Sequence, residues 1–363
     1  MSARPILVMA GGTGGHVYPA LAVAGALLAQ SQSVVWLGTH RGIEARVVPA
    51  AGIAMEWVTV QGLRRKGPGA MLLAPFSLLR ALIQSLSVMV RHRPAAVLGM
   101  GGFVSGPGGV AAWLTRRPLV IHEQNAVAGL TNRLLARLAR VVLQAFPGSF
   151  SSQRDAVTVG NPVRPEIAAI AAPAERLAGR NGAPRRLLAP GGSQGALSLN
   201  QTVPQALARI PAGIRPLVRH QTGSRTAVEA AAAYRDAGIE ADLHEFIDNM
   251  ADAYAWADLV ICRAGALTVA ELAAAGLPAI FIPYPAAVDD HQSANARPMV
   301  DAGAAAMIQE SELDPSALAE LLTSWLGDRD ALRARAGKAR ELARPDALDR
   351  IAGYCLELAG VRP

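Results

Sequence analysis

The chain has 363 residues, enough for two domains that each bury a core of their own. Its composition is 51% hydrophobic and only 4% aromatic, and its two cysteines, Cys262 and Cys355, form no metal-binding spacing. This excludes a disulfide framework and indicates a reducing compartment. We expect no signal peptide and no membrane-spanning segment, because glycine, proline and polar residues interrupt every apolar run.

The basic charge is concentrated in the first half of the chain. Residues 1–162 carry 15 basic against 4 acidic side chains, a net charge of +11, whereas residues 163–363 carry 20 against 24, a net charge of −4. A basic half indicates an anionic partner. Aromatic-interleaved basic motifs and a recognition-helix signature are missing, so the sequence favours an anionic membrane surface over nucleic acid.

The first predicted strand, Ile6–Met9, runs into the glycine-rich segment Gly11–Gly15, and a helix is predicted from Tyr18 to Gln30. Glycines permit a sharp turn, and a helix N-terminus presents unpaired N–H groups and a positive dipole end to an anion. The same order recurs 180 positions later, where the strand Leu187–Ala189 leads into Gly191–Gly195. The matched pair predicts two similar α/β halves with a cleft between them.

Short apolar runs alternate with Ala- and Leu-rich helical stretches along the whole chain. This alternation predicts parallel, doubly wound sheets whose ligands bind at the carboxyl ends of the strands. The other predicted strands are Val34–Leu37, Met55–Val58, Ala96–Leu98, Leu119–His122, Val141–Gln144, Leu217–His220, Asp242–Phe246, Leu259–Cys262, Ala279–Ile282 and Ala305–Ile308. We predict domains at residues 1–162 and 163–340, joined at the proline-bracketed connector Gly160–Pro165, and terminal helices over Ala331–Gly360, with residues 341–363 as a separate segment.

Two polar features of the first half are candidate site residues. His16 directly follows the first glycine loop, where the helix dipole favours the neutral imidazole that a general base requires. The alternative is a histidine that only stabilises the loop. The run His122–Asn125 places four polar side chains at the carboxyl end of a strand, where α/β proteins form their sites, and this predicts a site role.

Two further segments of the first half each have two interpretations. Gly99–Pro107 is a third glycine-rich loop, which suits either a second anionic group, such as an acceptor diphosphate, or a closely packed helix start. Met71–Val90 is strongly apolar and follows Arg64, Arg65 and Lys66. It forms either a patch that dips into the membrane interface or a largely buried helix pair, and the charge of this half favours the membrane.

In the second half, the segment Arg263–Glu271 joins a predicted strand to a helix. The backbone N–H groups of Ala266–Thr268 suit a diphosphate, and the Glu271 carboxylate, one turn later, suits sugar hydroxyls. Compensation of the helix dipole by Glu271 is the alternative.

The run Asp289–Asn295 is the last candidate. Gln292 and Asn295 suit hydrogen bonds to a sugar. The adjacent acids Asp289 and Asp290 would suit a divalent metal, but no other oxygen ligand follows at a fixed spacing, so we expect no metal.

Together these residues resemble the bacterial MurG family, the UDP-N-acetylglucosamine–N-acetylmuramyl-(pentapeptide) pyrophosphoryl-undecaprenol N-acetylglucosamine transferases. The resemblance covers nearly the whole chain and lies in Gly11–Ala24 (GGTGGHVYPALAVA), Leu98–Gly109 (LGMGGFVSGPGG), His122–Asn132 (HEQNAVAGLTN), Val159–Arg164 (VGNPVR), Gly191–Asn200 (GGSQGALSLN), Glu245–Ala279 and Asp289–Ala296 (DDHQSANA). It implies an α/β fold of the GT-B type, with two Rossmann-like, doubly wound parallel-sheet domains facing across a cleft. The final helix commonly returns to the first domain in such folds.

The resemblance also implies an activity. An inverting hexosyltransferase would move N-acetylglucosamine from UDP-N-acetylglucosamine (UDP-GlcNAc) to the 4-hydroxyl of N-acetylmuramic acid in undecaprenyl-diphospho-MurNAc-pentapeptide (lipid I), giving lipid II and UDP in peptidoglycan synthesis. It would act without a cofactor or metal, as a peripheral protein on the cytoplasmic face of the inner membrane. Its partners would be UDP-GlcNAc, lipid I, an anionic membrane surface and other cell-wall synthesis proteins, but no nucleic acid.

Site residues carry over from the resemblance at matching positions. In the second domain, Ile247 would lie against the uracil through its backbone, and Gln292 would contact the N-acetylglucosamine hydroxyls. The diphosphate and ribose would be held by Arg164, Ser193, Ala266, Leu267, Thr268, Val269, Ala270 and Glu271. From the first domain, Thr13, Gly14, Gly15 and Asn125 would complete the donor site. His16 is the expected base and Glu123 the alternative, while Asp290 and His291 depart from the pair found in some relatives.

Three other functions remain open. A UDP-sugar epimerase would use the same donor site without a lipid-facing patch. A nicotinamide-dependent oxidoreductase is disfavoured, because neither glycine loop has the GxGxxG spacing and no acidic residue follows about 20 positions later. A non-catalytic scaffold of the cell-wall machinery would keep the fold without the chemistry of His16.

Overall fold

The computed structural model describes residues 4–60, 74–150, 155–180, 182–192 and 195–361. The chain divides into two compact units. The first unit consists of Met1–Pro162 with Arg344–Pro363, and the second unit consists of Val163–Ala343. Each unit is built on its own parallel sheet, and the two sheets have seven and six strands.

The first unit has an open, doubly wound sheet. Its strands are β1 (Ile6–Met9), β2 (Val34–Gly38), β3 (Ala54–Trp57), β4 (Ala96–Gly99), β5 (Leu119–Glu123), β6 (Val141–Gln144) and β7 (Ala156–Thr158). They lie in the order β3-β2-β1-β4-β5-β6-β7, and every pairing is parallel. The order reverses between β1 and β4, so the carboxyl ends of these two strands form the switch point where such sheets bind ligands.

Helices cover both faces of this sheet. They are α1 (Gly14–Ala29), α2 (Glu44–Ala50), α3 (Ala74–His92), α4 (Ser105–Leu114) and α5 (Leu130–Leu135). Because side chains alternate along a strand, Ile6 and Val8 pack with the buried face of α1, whereas Leu7 and Met9 pack on the side of α3 and α4. Strands that are buried on both faces are apolar throughout, which is why they were visible as runs in the sequence.

The second unit repeats the architecture. Its strands are β8 (Arg186–Pro190), β9 (Leu217–Gln221), β10 (Asp242–His244), β11 (Leu259–Cys262), β12 (Ala279–Phe281) and β13 (Ala305–Met307). Their order is β10-β9-β8-β11-β12-β13, again all parallel, with the switch point between β8 and β11. The second glycine loop follows β8, and the segment Arg263–Glu271 follows β11.

The helices of this unit complete two further layers. They are α6 (Pro165–Ala168), α7 (Pro173–Arg176), α8 (Leu197–Arg209), α9 (Ala227–Asp236), α10 (Met250–Trp256), α11 (Ala266–Ala275), α12 (His291–Asp301), α13 (Pro315–Gly327) and α14 (Arg329–Glu341). Short 3₁₀ turns lie at Ala178–Arg180, Ala212–Ile214, Val288–Asp290 and Glu310–Glu312. The last helix, α15 (Ala347–Ala359), belongs to the first unit, where Ile351, Cys355 and Leu356 join the core beside α1.

The predicted fold class is confirmed, and all twelve predicted strands are present with ends shifted by at most two residues. One strand was missed, because β7 has only three residues and none is fully buried. The first helix begins at Gly14 rather than Tyr18, since Thr13 is extended and the chain turns into the helix directly after it. His16 therefore lies inside the first turn of α1 and not ahead of the helix.

Candidate functional site

The first and third glycine loops meet at the switch point of the first unit. A Cβ atom on Gly102 would overlap the carbonyl group of Gly11, and one on Gly101 would lie 2.7 Å from Nδ1 of His16. Both Gly101 and Gly102 have positive φ angles, 99° and 81°, which side chains rarely allow. Close packing, one of the two interpretations of this loop, is therefore what the structure shows.

A buried carboxylate that sequence reasoning missed supports the first glycine loop from behind. Glu44, at the start of α2, is fully buried. Its Oε2 accepts the N–H of Gly12 at 3.0 Å, and its Oε1 accepts the N–H and the hydroxyl of Thr39 at 3.1 and 2.7 Å. The amide of Gly12 thus points into the protein and toward a carboxylate, so it offers no hydrogen bond to a ligand.

The other residues of this loop form the start of α1. Thr13 is the N-cap, although its side chain makes no capping hydrogen bond, and Gly14, Gly15 and His16 are the first three helical residues. Gly15 and Thr13 are exposed, and His16 is half-buried. The helix N-terminus therefore keeps the exposure that ligand binding requires.

The polar run His122–Asn125, at the carboxyl end of β5, occupies several different environments. His122 is fully buried, and its Nε2 donates to the carbonyl oxygen of Gly160 at 2.9 Å. Burial lowers the pKa of His122 to about 4, so the ring is neutral at physiological pH. Gln124 is also buried and contacts His16, with its Oε1 3.2 Å from His16 Nδ1. His122 supports the fold, and Gln124 connects this run to the candidate base.

Glu123 is surrounded by donors within its own loop. Its Oε1 accepts the backbone and side-chain N–H groups of Asn125 at 2.9 and 3.2 Å, and its Oε2 accepts the N–H of Gly129 and the amide of Asn132 at 3.1 and 2.9 Å. Glu123 as a whole is 2% exposed. These contacts suit a residue that shapes the loop and orients Asn125. They disfavour Glu123 as the base, because both of its oxygens already accept two hydrogen bonds.

In the second unit, the described glycines Gly191 and Gly195 of the loop after β8 pack on neutral groups. Gly191 N–H donates to the carbonyl oxygen of Gln221 at 2.9 Å, and a Cβ atom on Gly195 would overlap Thr226. Asn200 supports this loop by donating to Thr222 O and Thr226 Oγ1 at 2.9 and 3.0 Å. Ser193, the expected diphosphate ligand here, lies outside the described residues.

The helix α11 carries the charged part of the second unit's candidate site in its second turn. Gly265 precedes the helix and has no side chain with which to cap it. Glu271, five positions after Ala266, accepts Arg164 Nε at 3.0 Å on Oε1 and the Tyr254 hydroxyl at 3.2 Å on Oε2. The prediction placed Arg164 and Glu271 in one site but did not foresee that they form an ion pair.

Burial and the charge of the partner shift the pKa of each member of this pair in opposite directions. Burial raises the pKa of Glu271, and the positive charge and hydrogen bond of Arg164 offset part of that rise. For Arg164, burial alone would lower the pKa, but the charge and hydrogen bond of Glu271 and the charges of Tyr254 and Glu166 together outweigh burial and raise the pKa. The Arg164 side chain is 40% exposed, so its guanidinium reaches both Glu271 and solvent.

The remaining predicted residues of α11 differ in accessibility. Leu267, Thr268 and Ala270 are half-buried, whereas Ala266 and Val269 are buried. The N–H of Val269 donates to the carbonyl oxygen of Gly265 at 2.9 Å. Neither group of Val269 can therefore bind a ligand, because its side chain is buried and its N–H group is bonded to Gly265.

Gln292 and Ile247 each have one group engaged inside the protein. Gln292 Oε1 accepts the N–H groups of Ala264 and Tyr284 at 3.2 and 2.9 Å, which leaves its Nε2 as the donor for a ligand. Ile247 donates its N–H to Gln221 Oε1 at 3.2 Å, so its carbonyl oxygen is the remaining backbone group for a base. These hydrogen bonds leave Nε2 of Gln292 and the carbonyl oxygen of Ile247 as the atoms that can bind a ligand.

Arg263 makes hydrogen bonds and an ion pair that connect several elements of the second unit. The sequence indicated it only as part of a motif. Its guanidinium donates to the carbonyl oxygens of Ile282 and Pro283 and to Ser198 Oγ, each at 3.1 Å, and pairs with Glu310. Ser198 also donates to Glu310 at 2.8 Å. This network holds the carboxyl edges of β11 and β12 against the start of α8.

The acidic pair Asp289 and Asp290 lies in a strained turn. Both residues have positive φ angles, 53° and 47°, and Asp290 accepts the hydroxyl of Ser293 at 2.8 Å. Within the described ranges, no three His, Cys, Asp or Glu side chains converge as metal ligands would. Of the helices in the described part of the chain, none combines the length and apolar character needed to cross a bilayer.

A set of exposed apolar side chains covers three neighbouring helices of the first unit, since α3 packs on α4 and α4 on α5. We call this set the apolar surface; it comprises Phe76, Leu78, Leu79, Ile83, Val90, Trp113, Leu114, Leu130 and Leu134. Phe76, Leu79 and Ile83 are 70%, 54% and 58% exposed, so the interpretation of this segment as a buried helix pair is wrong. Residues 61–73, including Arg64, Arg65, Lys66 and the start of the predicted Met71–Val90 segment, lie outside the described residues.

Comparison with known proteins matches both units to one family. The chain matches the model of the glycosyltransferase family 28 N-terminal domain over residues 6–144 and that of the family 28 C-terminal domain over residues 187–351. The crystal structure of Acinetobacter baumannii MurG superimposes with a TM-score of 0.86 and 41% sequence identity, covering 98% of this chain and 99% of that one. UDP-GlcNAc 2-epimerase from Neisseria meningitidis, with a TM-score of 0.67 and 12% identity, shares the fold alone.

Curated relatives are similar over their full length. A protein of Alkalilimnicola ehrlichii is 61% identical over 98% of this chain and 99% of its own, and one of Marinobacter nauticus is 54% identical over 98% of both. Each is named UDP-N-acetylglucosamine–N-acetylmuramyl-(pentapeptide) pyrophosphoryl-undecaprenol N-acetylglucosamine transferase. The chain therefore belongs to glycosyltransferase family 28 and, within it, to the MurG family of N-acetylglucosamine transferases.

Proposed function

We propose that this protein transfers N-acetylglucosamine from UDP-GlcNAc to the 4-hydroxyl of N-acetylmuramic acid in lipid I, with inversion at the anomeric carbon, and releases lipid II and UDP. The observation that carries the proposal is the arrangement at the switch point of the second unit, where α11 begins after β11 and its second turn carries Glu271, paired with Arg164. A helix N-terminus and a guanidinium suit a diphosphate, and a carboxylate suits sugar hydroxyls. Family membership supplies the identity of donor and acceptor.

The donor is bound mainly by the second unit. Arg164 and the N-terminus of α11 bind the diphosphate, and Ser193 adds a hydroxyl from the second glycine loop. Glu271 accepts hydrogen bonds from the ribose, because each of its oxygens keeps a lone pair beyond the bond to Arg164 or Tyr254. Departure of UDP leaves negative charge on the diphosphate, and the N-terminus of α11 with Arg164 stabilises it in the transition state.

The uracil and the sugar of the donor are oriented by atoms that the hydrogen bonds of Ile247 and Gln292 described above do not use. The carbonyl oxygen of Ile247 accepts a hydrogen bond from the uracil, since its N–H is already donated to Gln221. Gln292 Nε2 donates to the N-acetylglucosamine hydroxyls, since its oxygen is bound to Ala264 and Tyr284. Thr13, Gly14, Gly15 and Asn125 complete the donor site from the first unit.

His16 acts as the general base. As the acceptor's 4-hydroxyl oxygen forms its bond to the anomeric carbon, its proton passes to His16 and the bond from that carbon to the UDP oxygen breaks. Glu123 is assigned to positioning instead, because four donors hold its buried carboxylate. A positioned base of this kind contributes about 10²–10⁴-fold to the rate.

The membrane surface is the second partner. The apolar surface lies on the unit whose share of the sequence, residues 1–162, carries a net charge of +11. Arg80, Arg116, Arg133 and Arg137 are exposed on or beside the helices that carry it. Apolar side chains within a basic surface suit peripheral binding to the interface of an anionic leaflet. This supports our proposal that the enzyme acts on the cytoplasmic face, with its lipid-linked acceptor.

Two experiments test these proposals. Purified protein is supplied with labelled UDP-GlcNAc, with and without lipid I. Acceptor-dependent labelled lipid II supports the transferase, whereas an isomerised sugar formed without acceptor would favour an epimerase.

Flotation with vesicles tests the membrane partner. We expect recovery with anionic vesicles to exceed that with zwitterionic ones and to fall with salt, and equal recovery would contradict the electrostatic part of the proposal.

A further inference from the structure

We propose that Gln124 is a positioning residue that fixes His16 in the neutral tautomer with its proton on Nδ1 and its lone pair on Nε2. The inference rests on the proposed function in one respect, the assignment of His16 as the base. Its structural content stands without that assignment, because it concerns only which ring nitrogen carries the proton.

The orientation of the Gln124 amide is set by a carbonyl group. Gln124 follows β5 and is 1% exposed, and its Nε2 donates to the carbonyl oxygen of Met100 at 2.8 Å. A carbonyl oxygen only accepts hydrogen bonds, so the amide nitrogen must face Met100. The amide oxygen therefore faces His16, and the usual ambiguity between the two ends of a glutamine amide does not arise here.

The tautomer of His16 follows from that orientation. His16 Nδ1 lies 3.2 Å from Gln124 Oε1, which only accepts, so Nδ1 must carry the hydrogen. In a neutral ring the other nitrogen, Nε2, then holds the lone pair. A base needs that lone pair on the nitrogen turned away from its support, and Gln124 provides this without adding a charge next to the ring.

The support itself is anchored to three neighbouring strands. The N–H of Met100, after β4, donates to the carbonyl oxygen of Met9 at the end of β1 at 2.8 Å. Asn161 Nδ2 donates to the carbonyl oxygen of Gln124 at 3.0 Å. A Cβ atom on Gly101 would lie 2.7 Å from His16 Nδ1, so only glycine at this position leaves the ring where it is. The amide and the ring are thus held by the ends of β1, β4 and β5.

The tautomer is measured directly on the wild-type protein. Ring ¹⁵N shifts of selectively labelled histidine report which nitrogen carries hydrogen, and the signal of His16 is assigned by its loss in His16→Asn. We expect a protonated Nδ1 and an unprotonated Nε2 for His16 at a pH where the ring is neutral. The opposite tautomer, or a rapid average of both, would overturn the inference whether or not the protein transfers sugar.

Activity of a matched pair of variants tests the consequence. Gln124→Leu removes the acceptor, and Gln144→Leu removes another buried glutamine of the same unit that hydrogen-bonds Thr158 and does not contact His16. We expect Gln124→Leu to lower kcat about 10- to 100-fold with the KM for UDP-GlcNAc within about twofold, and Gln144→Leu to leave kcat within about twofold.

The His16→Ala background separates positioning from a general structural effect. If Gln124 acts through His16, Gln124→Leu lowers kcat by less than about twofold once His16 is alanine, because coupled residues are not additive. An equal loss in both backgrounds would overturn the inference while leaving the proposed transferase intact. If Gln124→Leu fails to fold, the wild-type tautomer measurement decides the question alone.

Discussion

The two glycine-rich loops occupy the same place in their units but rest on different supports. In the first unit, the carboxylate of Glu44 lies behind the loop and takes the N–H of Gly12. In the second, the described glycines Gly191 and Gly195 lie against backbone carbonyls and the neutral side chain of Thr226. A buried negative charge behind a loop opposes binding of a phosphate in front of it, whereas neutral support does not. A glycine-rich loop alone therefore does not identify a phosphate site.

This difference matches the roles that we propose for the two units. The second unit combines its neutral loop with Arg164 and the N-terminus of α11, which suits an anionic donor. The first unit combines its carboxylate-backed loop with His16, which suits the removal of a proton from a neutral hydroxyl. The diphosphate is thus assigned to the second unit, and proton transfer to the first unit, whose residues Thr13, Gly14 and Gly15 add further contacts to the donor.

The largest expected effect comes from the first unit. His16→Ala should lower kcat at least about 100-fold, because a positioned base supplies that much of the rate. Steady-state kinetics with UDP-GlcNAc and a lipid I analogue measure it, with folding checked by circular dichroism. Wild-type turnover in this variant would remove His16 from the mechanism and leave the first loop without a catalytic role.

A smaller effect is expected from the support behind the first loop. Glu44→Gln leaves one oxygen where two backbone N–H groups, those of Gly12 and Thr39, need acceptors. One buried donor then faces an amide NH₂ group, which costs about 1–3 kcal/mol of unfolding free energy and loosens the turn that leads to His16. Denaturant titration measures the loss, with the exposed Glu229→Gln as control. Equal stability of the two variants would show that Glu44 does not support the loop.

A third effect is shared by both units, because each buries one neutral histidine. Burial lowers the pKa of His122 and of His220 to about 4, from 6.5 for an exposed ring. Between these values the unfolded chain binds protons that the folded protein does not, so stability is full above pH 6.5 and falls as the pH drops toward 4. The loss is at most about 1.4 kcal/mol per pH unit for each histidine.

Denaturant titrations at pH 6.5 and 4.5 measure this loss, with His220→Gln as the comparison. The variant should lose less stability than the wild type over that interval, because one of the two histidines no longer titrates. An identical loss in both proteins would show that His220 accepts a proton without unfolding.

The fold was predictable because its signals are local. Strands buried on both faces are continuous apolar runs, and each loop at a switch point contains its own glycines. The exception, β7, has three half-buried residues and no apolar run. Its place in the sheet depends on pairing with β6, which a local pattern does not record.

The site was predictable in its members but not in its contacts. His16 and Gln124 are 108 positions apart, and Arg164 and Glu271 are 107 apart, so only the folded sheet brings each pair together. Glu44 was missed because a single glutamate on a short helix has no signal in the sequence, and its burial depends on the turn after β2. The same limit applies to Gln292 and Ile247, where the structure identifies the atom that remains available.

Titration calorimetry of UDP-GlcNAc binding tests the division of labour between the two units most directly. The account predicts that Glu271→Ala weakens binding at least about tenfold, since it removes hydrogen bonds that involve a charged group. It predicts that His16→Ala binds the donor within about twofold of the wild type. Wild-type affinity in Glu271→Ala, or an equal loss of affinity in both variants, would contradict it.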